Sequence, residues 1–72
     1  MTIGERIKAA REAKVWGQAE LARAAGISPN TLWRIESGQH APRPATIRRI
    51  AETLGVEPGE LVRGAEDSRR AV

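Results

Sequence analysis

Residues 26–38 read GISPNTLWRIESG, and three side chains in this stretch have a shared chemical capacity. At about 3.6 residues per turn, Asn30, Trp33 and Arg34 fall on one side of a helix, with Pro29 at the edge and Leu32 and Ile35 opposite. An Asn carboxamide can pair with adenine through N6 and N7, and an Arg guanidinium with guanine through O6 and N7. An apolar ring edge can meet a thymine methyl group. The outward face of this helix therefore carries the side chains that reading base edges needs. Trp33 admits a second placement, with the ring folded back along the preceding helix as a cover for apolar surface.

Other chemistries lack their residues. The 72-residue chain has no Cys and one His, so neither a disulfide framework nor a metal cluster is expected. His40 has no catalytic partner and falls in a loop, where it would lie near phosphate. No nucleophile–base–orienter set can be assembled, and no Gly-rich phosphate loop follows a strand. The expectation is a non-enzyme without cofactor or metal. The longest apolar runs are too short for a membrane span and the N-terminus lacks a signal-peptide core, which points to a cytoplasmic protein. Net charge is +3. Residues 1–62 hold nine Lys/Arg against seven Asp/Glu, and residues 63–72 three against two. So mild an excess says little by itself, and the placement of the bases matters more.

The elements that must position these side chains are short helices. Thr2 with Glu5 forms a capping box, predicting a helix over 3–14 with Ile3, Ile7 and Ala10 on one stripe. Gly17 caps a second helix that opens at Gln18, has Glu20 in its first turn and buries Leu21, Ala22 and Ala25. Trp16 and Leu21 are placed as a hydrophobic staple. Ser28 as N-cap and Pro29 at the first position start the third helix, which ends near Ser37. The segment QHAPRP is a loop. A fourth helix covers about 44–54, with Ile47, Ile50, Ala51 and Leu54 inward, and Pro58 opens a short fifth. Gly26, Gly38, Gly55 and Gly64 are the expected left-handed stops. One all-α domain over 1–62 is predicted, followed by a polar, flexible tail over 63–72.

Only Gly26 and Ile27 separate the second and third helices. So short a link forces a steep turn, and the third helix then stands proud of the domain as a groove-reading helix does. Arg11 continues the Ile3–Ile7 stripe and Glu36 flanks the Ile35 side of the third helix. Two opposite charges on core-leaning faces predict a partly buried structural ion pair.

The segment QAELARAAGISPNTLWRIESG resembles the helix-turn-helix of the lambda-repressor/Cro-like (XRE) family: a Gln opening the second helix, then ELA, AGIS and TLxRIExG. The likeness continues through IRRIAETLGVEPGEL and covers about residues 3–62. It implies the family's five-helix all-α DNA-binding domain, sequence-specific binding of double-stranded DNA, commonly as a homodimer, and usually transcriptional repression. It puts Pro29, Asn30, Thr31 and Arg34 at base-facing positions, beside Trp33. It also puts Gln18 on a phosphate or an edge base, and Ser28, Ser37, Gln39 and Arg43 beside backbone phosphates. An Arg–Glu pair at the places of Arg11 and Glu36 is a family feature too. Gly17, Pro29 and Trp33 depart from the usual pattern: a weaker cap, one reader fewer, and a bulky ring where small or polar residues are common.

One domain offers only three or four base readers, so dimerisation on half-sites about one helical turn apart is expected. Val56, Pro58, Leu61 and Val62 are the predicted dimer interface, because a short terminal helix cannot easily bury its apolar residues alone. Two other readings stay open. One is an antitoxin-like module that neutralises a protein partner and binds DNA secondarily. The other is a DNA-binding fragment whose sensor domain lies beyond Val72.

Overall fold

A computed structural model describes residues 2–63. Four helices, α1 (Ile3–Ala13), α2 (Gln18–Ala25), α3 (Pro29–Glu36) and α4 (Pro44–Leu54), are followed by α5, which begins at residue 58 and continues through 63. Among the described residues there is no strand and no helix long and apolar enough to cross a membrane. Gly64 and the stretch 64–72, read as a tail, lie outside the described residues; Arg63, assigned to that tail, is helical.

Local chemistry starts the helices where the caps place them. The Thr2 hydroxyl accepts from the Glu5 N–H at 3.2 Å, and Glu5 Oε1 accepts from the Thr2 N–H at 3.0 Å. That second bond holds the Glu5 carboxyl below its ordinary value of 4.5. α2 has half of such a box: Gly17 offers no side chain, but its N–H donates to Glu20 Oε1 at 3.0 Å. Ser28 Oγ accepts from the Thr31 N–H at 3.1 Å to start α3.

Glycines in the left-handed region stop α2 and α4, at Gly26 (φ 74) and Gly55 (φ 71). α1 departs from this rule. Its stop is Val15, a β-branched residue at φ 57 that is 89% exposed. Val15 N–H donates to the Glu12 carbonyl and Trp16 N–H to that of Arg11, closing the turn that glycine normally serves.

The core joins Ile7 of α1, Leu21 and Ala22 of α2, Leu32 and Ile35 of α3, and Ile50, Ala51 and Leu54 of α4. Ile3, Ala10, Trp16, Ile27 and Ile47 are half-buried against it. The terminal helix corrects one expectation. Leu61, assigned to a dimer interface, is 3% exposed and belongs to this core. The correction follows from tertiary contact: α5 folds back on the domain, and Arg6 Nη2 of α1 donates to the Glu60 carbonyl at 3.3 Å. α3 is held between α1 and α2, which fixes its inner side and leaves the other outward.

Candidate nucleic-acid interface

α3 is sharply two-sided. Leu32 and Ile35 are buried, whereas Pro29, Asn30, Trp33 and Arg34 are exposed, Trp33 by 48%. The backbone around Gly26 sets this helix against α2, with Ile27 N–H donating to the Ala22 carbonyl at 2.9 Å. Thr31 is less available than its neighbours: it is half-buried and its hydroxyl lies 2.8 Å from Ser28 Oγ. Both hydroxyls are thus engaged in starting the helix.

The far end of α3 is folded on one carbonyl. Arg34 O accepts from the Gln39 and His40 N–H groups at 2.9 and 3.2 Å, and from Ser37 Oγ at 3.2 Å. Gly38, at φ 81, permits this turn. Ser37, Gln39 and His40 are therefore exposed beside Arg34. Arg43, also exposed, is the N-cap of α4 and makes no side-chain capping bond. Pro44 follows it without an N–H, so the Ala45 and Thr46 amides head the helix and point where an anion is favoured.

Arg11 and Glu36 meet under α3. Arg11 Nε donates to Glu36 Oε2 at 2.8 Å and Nη2 to Oε1 at 3.0 Å, a bidentate pair with side chains only 11% and 4% exposed. The bonds to Glu36 push the Arg11 guanidinium still higher than its ordinary range. Arg11 Nη1 also donates to the Trp16 carbonyl at 2.8 Å. Gln18 enters this cluster: its Nε2 donates to Glu36 Oε1 at 3.0 Å, and the residue is half-buried.

Trp33 borders a cleft lined also by Lys8, Arg11, Gln18, Glu36 and Ser37, between α3, α1 and the start of α2. Lys8 was not foreseen in this group, although its spacing of three from Arg11 puts both on one side of α1. Arg48 and Arg49 sit elsewhere, in clefts shared with Glu52 on α4. Of the four residues read as a dimer surface, Leu61 is withdrawn into the core and Val56 packs half-buried against it, while Pro58 and Val62 are half-buried. Asn30, Trp33 and Arg34 thus form an exposed ridge; Trp33 and Ser37 border the cleft shared with Lys8 and Gln18, and the turn folded on the Arg34 carbonyl follows the end of the helix.

Comparisons with known proteins agree with this geometry. A family model described as a helix-turn-helix domain matches residues 2–64. The chain is 37% identical over 62 residues to an uncharacterized HTH-type transcriptional regulator of Mycobacterium tuberculosis, covering 86% of this chain and 24% of that protein. It is 40% identical over 58 residues to the uncharacterized HTH-type transcriptional regulator YazB of Bacillus subtilis (81% and 84% covered). It is 36% identical over 62 residues to the immunity repressor protein of Bacillus phage phi105 (86% and 43%). The chain thus spans about a quarter of the length of its mycobacterial relative.

Among solved structures, the DNA-binding domain of the P22 c2 repressor superposes with a TM-score of 0.85 at 26% identity, covering 89% of this chain and 84% of that one. SinR, the master regulator for biofilm formation, solved in complex with DNA, gives 0.82 at 31% identity (85% and 98%). With five helices in this arrangement among the described residues and a family match across nearly all of its length, the chain belongs to the helix-turn-helix domain family of lambda-repressor-like proteins.

Proposed function

We propose that this chain binds double-stranded DNA in a sequence-specific manner and represses transcription, with α3 seated in the major groove. The observation that carries the reading is the two-sidedness of α3: Asn30, Trp33 and Arg34 stand exposed on a helix whose Leu32 and Ile35 are fixed in the core. Asn30 and Arg34 supply hydrogen bonds to base edges, with Pro29 and Thr31 beside them. Trp33, at the cleft beside α1, takes the sugar edge of the groove or a thymine methyl. Gln18 grips phosphates at one side; Ser28, Ser37, Gln39 and Arg43 grip them around the ends of α3 and the start of α4. The likeness to the phi105 immunity repressor and to SinR, solved with DNA, supports the same reading.

Binding as a homodimer on a two-fold site doubles the few contacts of one domain. Val56, Pro58 and Val62 are the surface proposed for it, Leu61 being committed to the monomer core. As a regulator, the protein performs no catalysis and works in the cytoplasm. Selection of duplexes from a random pool tests all of this together. A two-fold-symmetric site should be enriched, bound with an affinity that falls steeply with salt. No enrichment, and no duplex binding at low salt, would overturn the reading.

A further inference from the structure

Gln18 opens α2 at the edge of the exposed α3 face, and its carboxamide is already engaged in the absence of any partner. Glu36 accepts three hydrogen bonds: from Arg11 Nε at 2.8 Å, from Arg11 Nη2 at 3.0 Å and from Gln18 Nε2 at 3.0 Å. Arg11 is in turn fixed through Nη1 to the Trp16 carbonyl, one residue before the Gly17 cap of α2. A closed set of bonds thus links the α1–α2 turn, the end of α3 and the first residue of α2.

Glu36 acts in this set as an acceptor only. Gln18 can approach it with the amide nitrogen, whereas a flipped amide would set oxygen against oxygen. An ordinary surface glutamine rotates among many orientations; this one has a single orientation. One N–H and the amide oxygen remain for a partner. Arg11 matters here for a second reason. An unpaired carboxylate so close to the proposed phosphate positions would repel DNA, and the bidentate bond neutralises it.

We propose that Glu36, paired with Arg11, is a positioning residue for DNA binding: it presets the Gln18 carboxamide so that the remaining N–H meets a backbone phosphate oxygen. The proposal rests on the DNA-binding reading above. A side chain ordered before binding loses little rotamer freedom on binding, which is worth roughly two- to tenfold in affinity. The pair is therefore part of the binding machinery as well as of the fold.

The test is a cycle of four proteins: unsubstituted, Gln18→Ala, Arg11→Met with Glu36→Met, and all three substitutions together. Exchanging a buried ion pair for apolar side chains of similar volume often preserves or raises stability, and melting followed by circular dichroism checks this. Affinity for the selected duplex is then measured at one salt concentration. Gln18→Ala should weaken binding, and the paired substitution should weaken it by roughly two- to tenfold when Gln18 is present. It should have no further effect when Gln18 is alanine. Binding unchanged by either Gln18→Ala or the paired substitution would overturn the proposal. So would an equal loss in both backgrounds, which would mean that α3 had merely shifted. Arg11→Leu with Glu36→Leu, which likewise removes both charges together and leaves Gln18 no acceptor, supplies the same cycle if the methionine pair does not fold. An unsubstituted protein that binds no duplex would sink the DNA-binding reading and this proposal with it. Duplex binding with the wrong cycle would sink this proposal alone.

Discussion

Replacing Gly4 with alanine adds one methyl group where α1 crosses α3. Gly4 is buried in the first turn of α1. A Cβ there would fall on the Ile35 carbonyl oxygen, 3.0 Å from the carbonyl carbon and 3.3 Å from Glu36 Cα. All three are backbone atoms, so no side chain can swing aside. They are also tied down, with Ile35 O accepting from the Gly38 N–H at 3.2 Å and Glu36 held by Arg11. Helix propensity favours alanine by about 0.5–1 kcal/mol. Overpacking against an unyielding neighbour costs about 1–3 kcal/mol or more, and this contact belongs at the upper end. A net loss of about 1–3 kcal/mol is expected, from a total of roughly 4–11 kcal/mol for 72 residues. At about 4–8 °C per kcal/mol, Tm should fall by roughly 5–20 °C in a melt followed by circular dichroism. A Tm equal to or above that of the unsubstituted protein would show slack between α1 and α3 and refute this account of their approach.

Three further outcomes are expected. Val15→Gly should hold or raise Tm: left-handed backbone costs an ordinary residue about 1–2 kcal/mol and glycine costs about 0.5–1 in chain entropy, so the net gain is about 0–1.5 kcal/mol. Val15 is 89% exposed and loses no packing, so a lower Tm would contradict the strain argument. The lowered pKa of Glu5 means that the unfolded chain takes up this proton first as pH falls. The capping contribution is then whole above about pH 4.5 and lost as pH falls through the lower folded-state value. Urea unfolding across that range should lose part of its pH dependence in Glu5→Gln, and an identical profile would deny Glu5 the role. Arg34→Ala should cost about 1–3 kcal/mol in affinity for the selected duplex and relax preference at one base pair. A uniform loss over all sequences would instead make Arg34 a phosphate ligand.

Local chemistry made much of the fold legible in the sequence. Thr2 with Glu5, Ser28 with Pro29, and the stops at Gly26 and Gly55 act over three or four residues, and each marks a helix end that the structure shows. α4 begins and ends where its prolines, apolar stripe and glycine put it. The features that escaped depend on distant neighbours. Leu61 looked unpaired because the core that receives it comes from α1 to α4. The Gln18 side chain is drawn to Glu36, 18 residues along the chain, a partner no local window contains. Gly4 reads as an ordinary helical residue until the α3 backbone is placed against it. Val15 hides for the opposite reason, since nothing in a valine announces a left-handed turn.

On the function proposed above, the exposed side of α3 meets DNA. Mapping of amide chemical shifts by NMR, on adding the selected duplex, measures this most directly. The largest changes should fall on residues 28–37 and the first turn of α2, with smaller ones at Arg43 and the start of α4. Changes confined to α5 and the outer side of α4, with residues 28–37 silent, would contradict it.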